Sequence, residues 1–191
     1  VYQELYNIAN ADDLDSYKMM KKVIELETIT SSVLKSKSKD LEICGFLIEA
    51  WIINYSVKGL KNGFELLSNI IKKYWKIIFP HAEDYGISSD EVEELKMNII
   101  KRIDQRVAIL MYQFVYIDKD KQFNLLDLVR DKDSNEIKEF ILDNKYVIEE
   151  FIYLLDEILD IMNTIIDDLN ELVDIKNENV DISFPEFKQC F

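Results

Sequence analysis

Three carboxylates, Asp167, Asp168 and Glu171, stand in the pattern Asp-Asp-x-x-Glu. On a helix Asp167 and Glu171 share a face one turn apart. Carboxylates of this kind could hold a magnesium ion, and this is the main enzymatic reading the chain offers. It stands in an acidic segment where such pentads arise by chance, and no second metal motif accompanies it. His81 is the only histidine. A single imidazole removes zinc His clusters, Glu-x-x-His di-iron pairs and most nucleophile triads together, and beside Pro80 and Glu83 it reads as a loop residue. Asp118-Lys-Asp-Lys-Gln and Asp131-Lys-Asp-Ser-Asn begin like calcium loops. The positions that need Gly and Glu hold Phe123 and Val129 in the first and Glu136 and Leu142 in the second, so both fail. Gly59 and Gly63 do not belong to a phosphate-binding glycine loop. Lys58, Lys61, Lys72, Lys73 and Lys76, with Tyr74 and Trp75, form a basic stretch that a helix flank with snorkelling lysines explains. The expectation is a chain that is not an enzyme and holds no cofactor or metal.

The charge points the same way. The net charge is −14 over 191 residues, and all of the excess lies in residues 82–191, which hold 27 acidic and 12 basic side chains. Such a surface repels phosphate backbones and anionic lipid heads, which leaves a basic or mixed-charge protein as the natural partner. No run reaches ~18 apolar residues, so direct membrane insertion is not expected. Cys44 lies in an apolar run far from Cys190 and reads as a buried free thiol of a reducing compartment. The chain opens on Val1 rather than Met and is expected to be a piece of a longer protein.

With only four Gly and two Pro, the elements that position these residues must be helices. Apolar residues at helical spacing predict helices over 13–34, 39–57, 60–78, 88–110, 135–142 and 145–173. Ser38 is the expected N-cap of the second, with Asp40 in its first turn, and Gly59 its left-handed C-cap. Gly63 is placed for a close approach. Pro80 should end the third helix, with a loop over 81–87. Ser88-x-x-Glu91 and Ser183-x-x-Glu186 read as capping boxes, with Pro185 in the first turn of a terminal helix. Residues 118–133 read as a structured loop with a brief helix at 125–129. Ile148, Phe151, Leu155, Ile158, Met162, Ile165, Leu169 and Leu172 keep a seven-residue repeat. That seam serves either the domain's own core or a coiled coil between chains. The fold class is all-α: an antiparallel bundle of about six main helices, one domain over 1–191.

Ser38-Lys39-Asp40-Leu41, then Ala50-Trp51, Gly59-Leu60, Gly63, Tyr74-Trp75 and Pro80, in this order and spacing, resemble the N-terminal ImpA domain of TssA-type proteins of the bacterial type VI secretion system. Weaker likeness extends to Phe123-Asn-Leu-Leu and Phe184-Pro-Glu-Phe187. The family's acidic N-terminal segment has no evident counterpart before residue 13. Most of the motif residues are caps, glycines and aromatics that a shared fold requires. Lys39, explained by neither cap nor core, is expected to be a surface contact.

The resemblance implies a cytoplasmic assembly module that docks to baseplate, contractile sheath and inner-tube proteins. It also implies that the full protein oligomerises through a C-terminal region outside this chain. The alternatives are a self-associating scaffold through 145–173, or a magnesium enzyme using Asp167, Asp168 and Glu171.

Overall fold

Val23, Thr30 and Leu34 recur at helical spacing and are buried, so helix α1 (Asp13–Ser36) lays one narrow stripe on the helix that follows it. The computed structural model describes residues 13–118, 123–124, 135–173 and 184–188. After α1 come α2 (Leu41–Tyr74), a 3₁₀ turn (Trp75–Ile77), α3 (Ala82–Tyr85) and α4 (Ser89–Phe114). A small strand pair β1 (Tyr116–Asp118) and β2 (Phe123–Asn124) separates these from α5 (Asn135–Asp143), α6 (Lys145–Leu172) and α7 (Pro185–Lys188). The class is all-α, with one short antiparallel strand pair, Tyr116 opposite Asn124 and Asp118 opposite Phe123.

The second helix is the centre of the molecule. Its apolar side chains wrap nearly all round, and Leu41, Cys44, Ile48, Ile52, Leu60, Phe64, Leu67 and Ile71 are all fully buried. It is broken once, at Ser56, where φ is 57° and ψ is −136°. There the chain doubles back. Residues 41–55 and 57–74 form a hairpin whose far ends meet, the Phe79 amide donating to the Lys39 carbonyl at 2.8 Å. A residue with a Cβ is strained at such angles, so the reversal is held by the packing around it. The expected break near residue 57 is present, but Gly59 is not its left-handed cap. Gly59 lies one turn into the second half, where its bare Cα lets the two halves touch: a Cβ there would stand 1.9 Å from the Trp51 carbonyl oxygen. Gly63 faces the Ile48 side chain in the same seam.

Among the described residues, one helical stretch, Leu41–Ile77, has the length and apolarity of a membrane span. Its break at Ser56 folds it back on itself, and its apolar faces build the core.

Three boundaries differ from expectation. Asp40, not Ser38, is the N-cap of α2, accepting from the amides of Glu42 at 2.8 Å and Ile43 at 3.1 Å. Ser38 instead donates its amide to the Val33 carbonyl, closing the end of α1. The third helical stretch stops at Tyr74 rather than at Pro80 and gives way to the 3₁₀ turn. The expected 81–87 loop contains the one-turn helix α3, closed by Gly86 at φ 64°. Asp40→Ala is expected to cost about 1 kcal/mol, lowering the melting temperature by roughly 2–4 °C, while Asp40→Asn stays close to the parent. Thermal unfolding of the three proteins checks it.

Helix α4 opens with the Ser88–Glu91 capping box as expected. Glu42 meets Arg102 and Glu49 meets Arg106, so the register advances the same way along both helices. The fourth helix therefore lies parallel to the first half of α2. The seam of α6 turns inward, with Phe151, Leu155, Ile158, Met162, Ile165 and Leu169 buried in one continuous core. The heptad pattern serves the chain's own packing. Buried Asp104 accepts from the Glu186 amide at 3.1 Å and anchors α7, whose first residue is Pro185. Ser183, residues 125–129 and Cys190 lie outside the described residues.

Candidate functional site

The motif residues fall into two groups: Lys39, Asp40, Tyr74, Trp75 and Pro80 lie where the two arms of the α2 hairpin meet, and Ala50, Gly59, Leu60 and Gly63 lie along the seam toward Ser56. Lys39 donates its ammonium to the Leu34 carbonyl and stands 5.5 Å from the centre of the Tyr74 ring. It straps α1 to the end of α2 and is not a free surface contact. One residue on, Asp40 caps α2 and pairs with Phe79 through the backbone. Leu41, Ala50, Gly59, Leu60, Gly63, Trp75 and Pro80 are buried, Tyr74 is half-buried and Ser38 is exposed.

Trp75 is clamped. Its indole Nε1 donates to Glu93 Oε2 at 2.7 Å, and its carbonyl accepts from Lys96 Nζ at 2.8 Å. The same ammonium stands 5.1 Å from the centre of the indole ring and 3.4 Å from Glu93 Oε1. Lys96 is only 3% exposed, so carbonyl, carboxylate and aromatic face together replace the water it has lost. Nothing in the sequence marks Lys96 for this place, beyond its position one helical turn after Glu93.

This clamp forms one side of a cleft of about 520 Å³ between the 3₁₀ turn, α3 and the start of α4. Pro80, Ala82 and Val92 supply apolar lining, while Ile77, His81, Glu83, Asp84 and Lys76 also border it. His81 meets the Phe79 ring edge-on at 5.8 Å, and Phe79 lies 6.0 Å from Tyr85. The cleft has the size of a small ligand pocket.

A second polar feature lies deeper. Arg106 Nε stands 2.6 Å from Glu49 Oε1 where α4 crosses α2, and the guanidinium also lies over Phe46 at 5.5 Å. Burial pushes the Glu49 carboxyl up to about 8, with repulsion from Glu42 adding to it. Burial likewise pulls Arg106 down to about 10. Their mutual contact opposes both shifts and favours the charged pair. Cys44, free and fully buried, has its thiol pushed up to about 12 by burial and then by Asp40, which leaves it a packing residue with little nucleophilic character. On α1, Glu27 accepts from Trp51 Nε1 at 3.0 Å, Asn54 Nδ2 at 2.7 Å and the Tyr55 hydroxyl at 3.1 Å. It ties the first helix to the second.

The other candidates do not assemble. Asp167 and Glu171 are exposed on α6 and Asp168 is half-buried, and among the described residues no group of three or more carboxylate, thiol or imidazole side chains is placed to hold a metal. Lys61 pairs with Glu157 at 3.1 Å, so the basic stretch is partly drawn into packing of α6 on α2. Lys58, Lys72, Lys73 and Lys76 are exposed. The two calcium-like segments lie largely outside the described residues.

A family model described as ImpA, N-terminal, type VI secretion system matches residues 2–111. The matched span is more than half of the chain and ends in the last turn of α4. It starts well before residue 13, and it stops short of Phe123 and Phe184, where the weaker likeness was read. No curated protein and no solved structure matches the chain.

Proposed function

The chain belongs to the ImpA N-terminal family of type VI secretion proteins, and from that premise we propose that it is a protein-docking domain that performs no chemistry. It is a single domain over 1–191 that meets baseplate, contractile sheath and inner-tube proteins on the cytoplasmic side of the apparatus. Oligomerisation belongs to a C-terminal region beyond it.

The family match carries this reading. Three observations support it. Most residues that resemble the family motif are buried in caps, seams and clamps, which is how a scaffold is conserved in geometry while its outer face does the binding. The carboxylates Asp167, Asp168 and Glu171 do not converge with further ligands. The inward seam of α6 argues against the self-associating scaffold, because the residues that would zip two chains together already fill the core.

The test is retention of separately purified baseplate, sheath and inner-tube proteins by the immobilised chain at low salt and at about 0.5 M salt, where screening is strong. Retention of at least one, weakened by salt, is expected. Retention of none would refute the docking reading.

A further inference from the structure

We propose that the cleft between the 3₁₀ turn, α3 and the start of α4 is the docking groove, and that its occupant is a protein segment carrying lysine or arginine beside an apolar side chain. This rests on the docking reading above and names its face and partner chemistry.

The apolar component is explicit. Ile77 is 66% exposed although its neighbours Trp75 and Ile78 are buried, and the clamp on Trp75 fixes the turn that presents it. Beside the cleft, at the end of α3, Tyr85 is 54% exposed and continues an aromatic run through Phe79 to His81 of the lining. An exposed isoleucine lining a concavity, with an exposed tyrosine next to the lining residue Asp84, has the character of an interface anchor, because it adds large apolar contact with little loss of side-chain freedom.

Charge selects the occupant. Glu83 and Asp84 line the cleft, are exposed, and make no ion pair among the described residues. Asp90, Glu91 and Glu94 are exposed just beyond them on the first turns of α4. Of the lining lysines, Lys96 is buried against Trp75 and Glu93, and only Lys76 faces solvent. A cationic side chain from a partner would therefore find two unneutralised carboxylates at the mouth, and an anionic one would meet their repulsion. The walls are set in advance by the Trp75 clamp, the Gly86 cap of α3 and the Ser88 capping box, so little ordering opposes binding.

The experiment uses whichever apparatus protein the chain retains, together with overlapping peptides spanning it. Affinities are measured for the unaltered chain, for Ile77→Asp, for Glu83→Lys with Asp84→Lys, and for Tyr146→Lys on α6 as a control. All of these residues are exposed, and unchanged melting temperatures verify that each variant folds. Each cleft variant is expected to lose about tenfold or more in affinity while the control stays within about twofold, and the peptides that bind should be basic. Three results would overturn the inference: cleft variants that bind as the unaltered chain does, bound peptides that are acidic and lost on Lys76→Glu, or a chain that self-associates through these same residues. If the unaltered chain retains no apparatus protein at all, the docking reading has failed and the groove falls with it.

Discussion

Gly59→Ala is expected to lower stability by more than roughly 3 kcal/mol, a loss that belongs to the severe tail of single substitutions. The added methyl would sit 1.9 Å from the Trp51 carbonyl oxygen and 2.3 Å from its carbon. Both are backbone atoms, so no rotamer change relieves the clash and the two halves of α2 must part. Those halves carry the largest share of the core and meet again at Asp40 and Phe79, so parting them disturbs both ends of the hairpin. Gly63→Ala makes an instructive contrast. Its methyl would meet Ile48 Cγ2 at 2.8 Å, a side-chain atom, so the cost is nearer the 1–3 kcal/mol typical of overpacking. Urea titrations of the parent and the two glycine variants decide it. A Gly59→Ala protein as stable as the parent would mean that the halves of α2 do not approach as described.

Arg106→Met is the second severe change. It leaves the Glu49 carboxyl buried without its guanidinium, and breaking such a pair from one side costs about 3–5 kcal/mol. Removing both charges, as in Glu49→Leu with Arg106→Met, should restore most of that, because the site is already apolar around Phe46, Gly45 and Ile103. The pH dependence has a definite sign. The Glu49 carboxyl is raised in the folded protein above its ordinary 4.5, so its contribution to stability is full below pH 4.5 and is lost as pH rises toward about 8. Without Arg106 that loss is unopposed. The single variant should therefore lose stability across this window at up to about 1.4 kcal/mol per pH unit relative to the double variant, which lacks the titrating group. Melting curves at pH 5, 6, 7 and 8 for both proteins make the comparison, and parallel pH profiles would refute it.

Local signals carried much of this fold. The Ser88–Glu91 box, the apolar stripes of α4 and α6 and the break near residue 57 are written in spacing and caps, which act within one or two helical turns. What spacing does not encode is where a chain tolerates strain. Glycine is the residue expected at a left-handed position, so Gly59 drew the cap, whereas the reversal falls on Ser56 and the glycine serves the contact it permits. Asp40 displaced Ser38 as N-cap for a tertiary reason: the Asp40–Phe79 bridge fixes the backbone at Asp40, and the chain before it is drawn back onto α1.

The candidate site was half legible. Trp75 and Pro80 marked its neighbourhood through the family resemblance, but these are its buried supports. Ile77, Glu83, Asp84 and Tyr85, which face outward there, belong to no motif, and an exposed isoleucine in an apolar run looks like core until its neighbours are seen to be buried instead. Lys39 has a partner that spacing does not announce, a ring 35 residues on.

The most direct test of the account is to place a photo-activated cross-linking residue at position 77 or 85, and at position 142 or 146 for comparison, in cells that assemble the secretion apparatus. Adducts with a baseplate, sheath or inner-tube protein are predicted from 77 and 85 and none from 142 and 146. Adducts arising only from 142 and 146, or no adduct with an apparatus protein from any position, would contradict it.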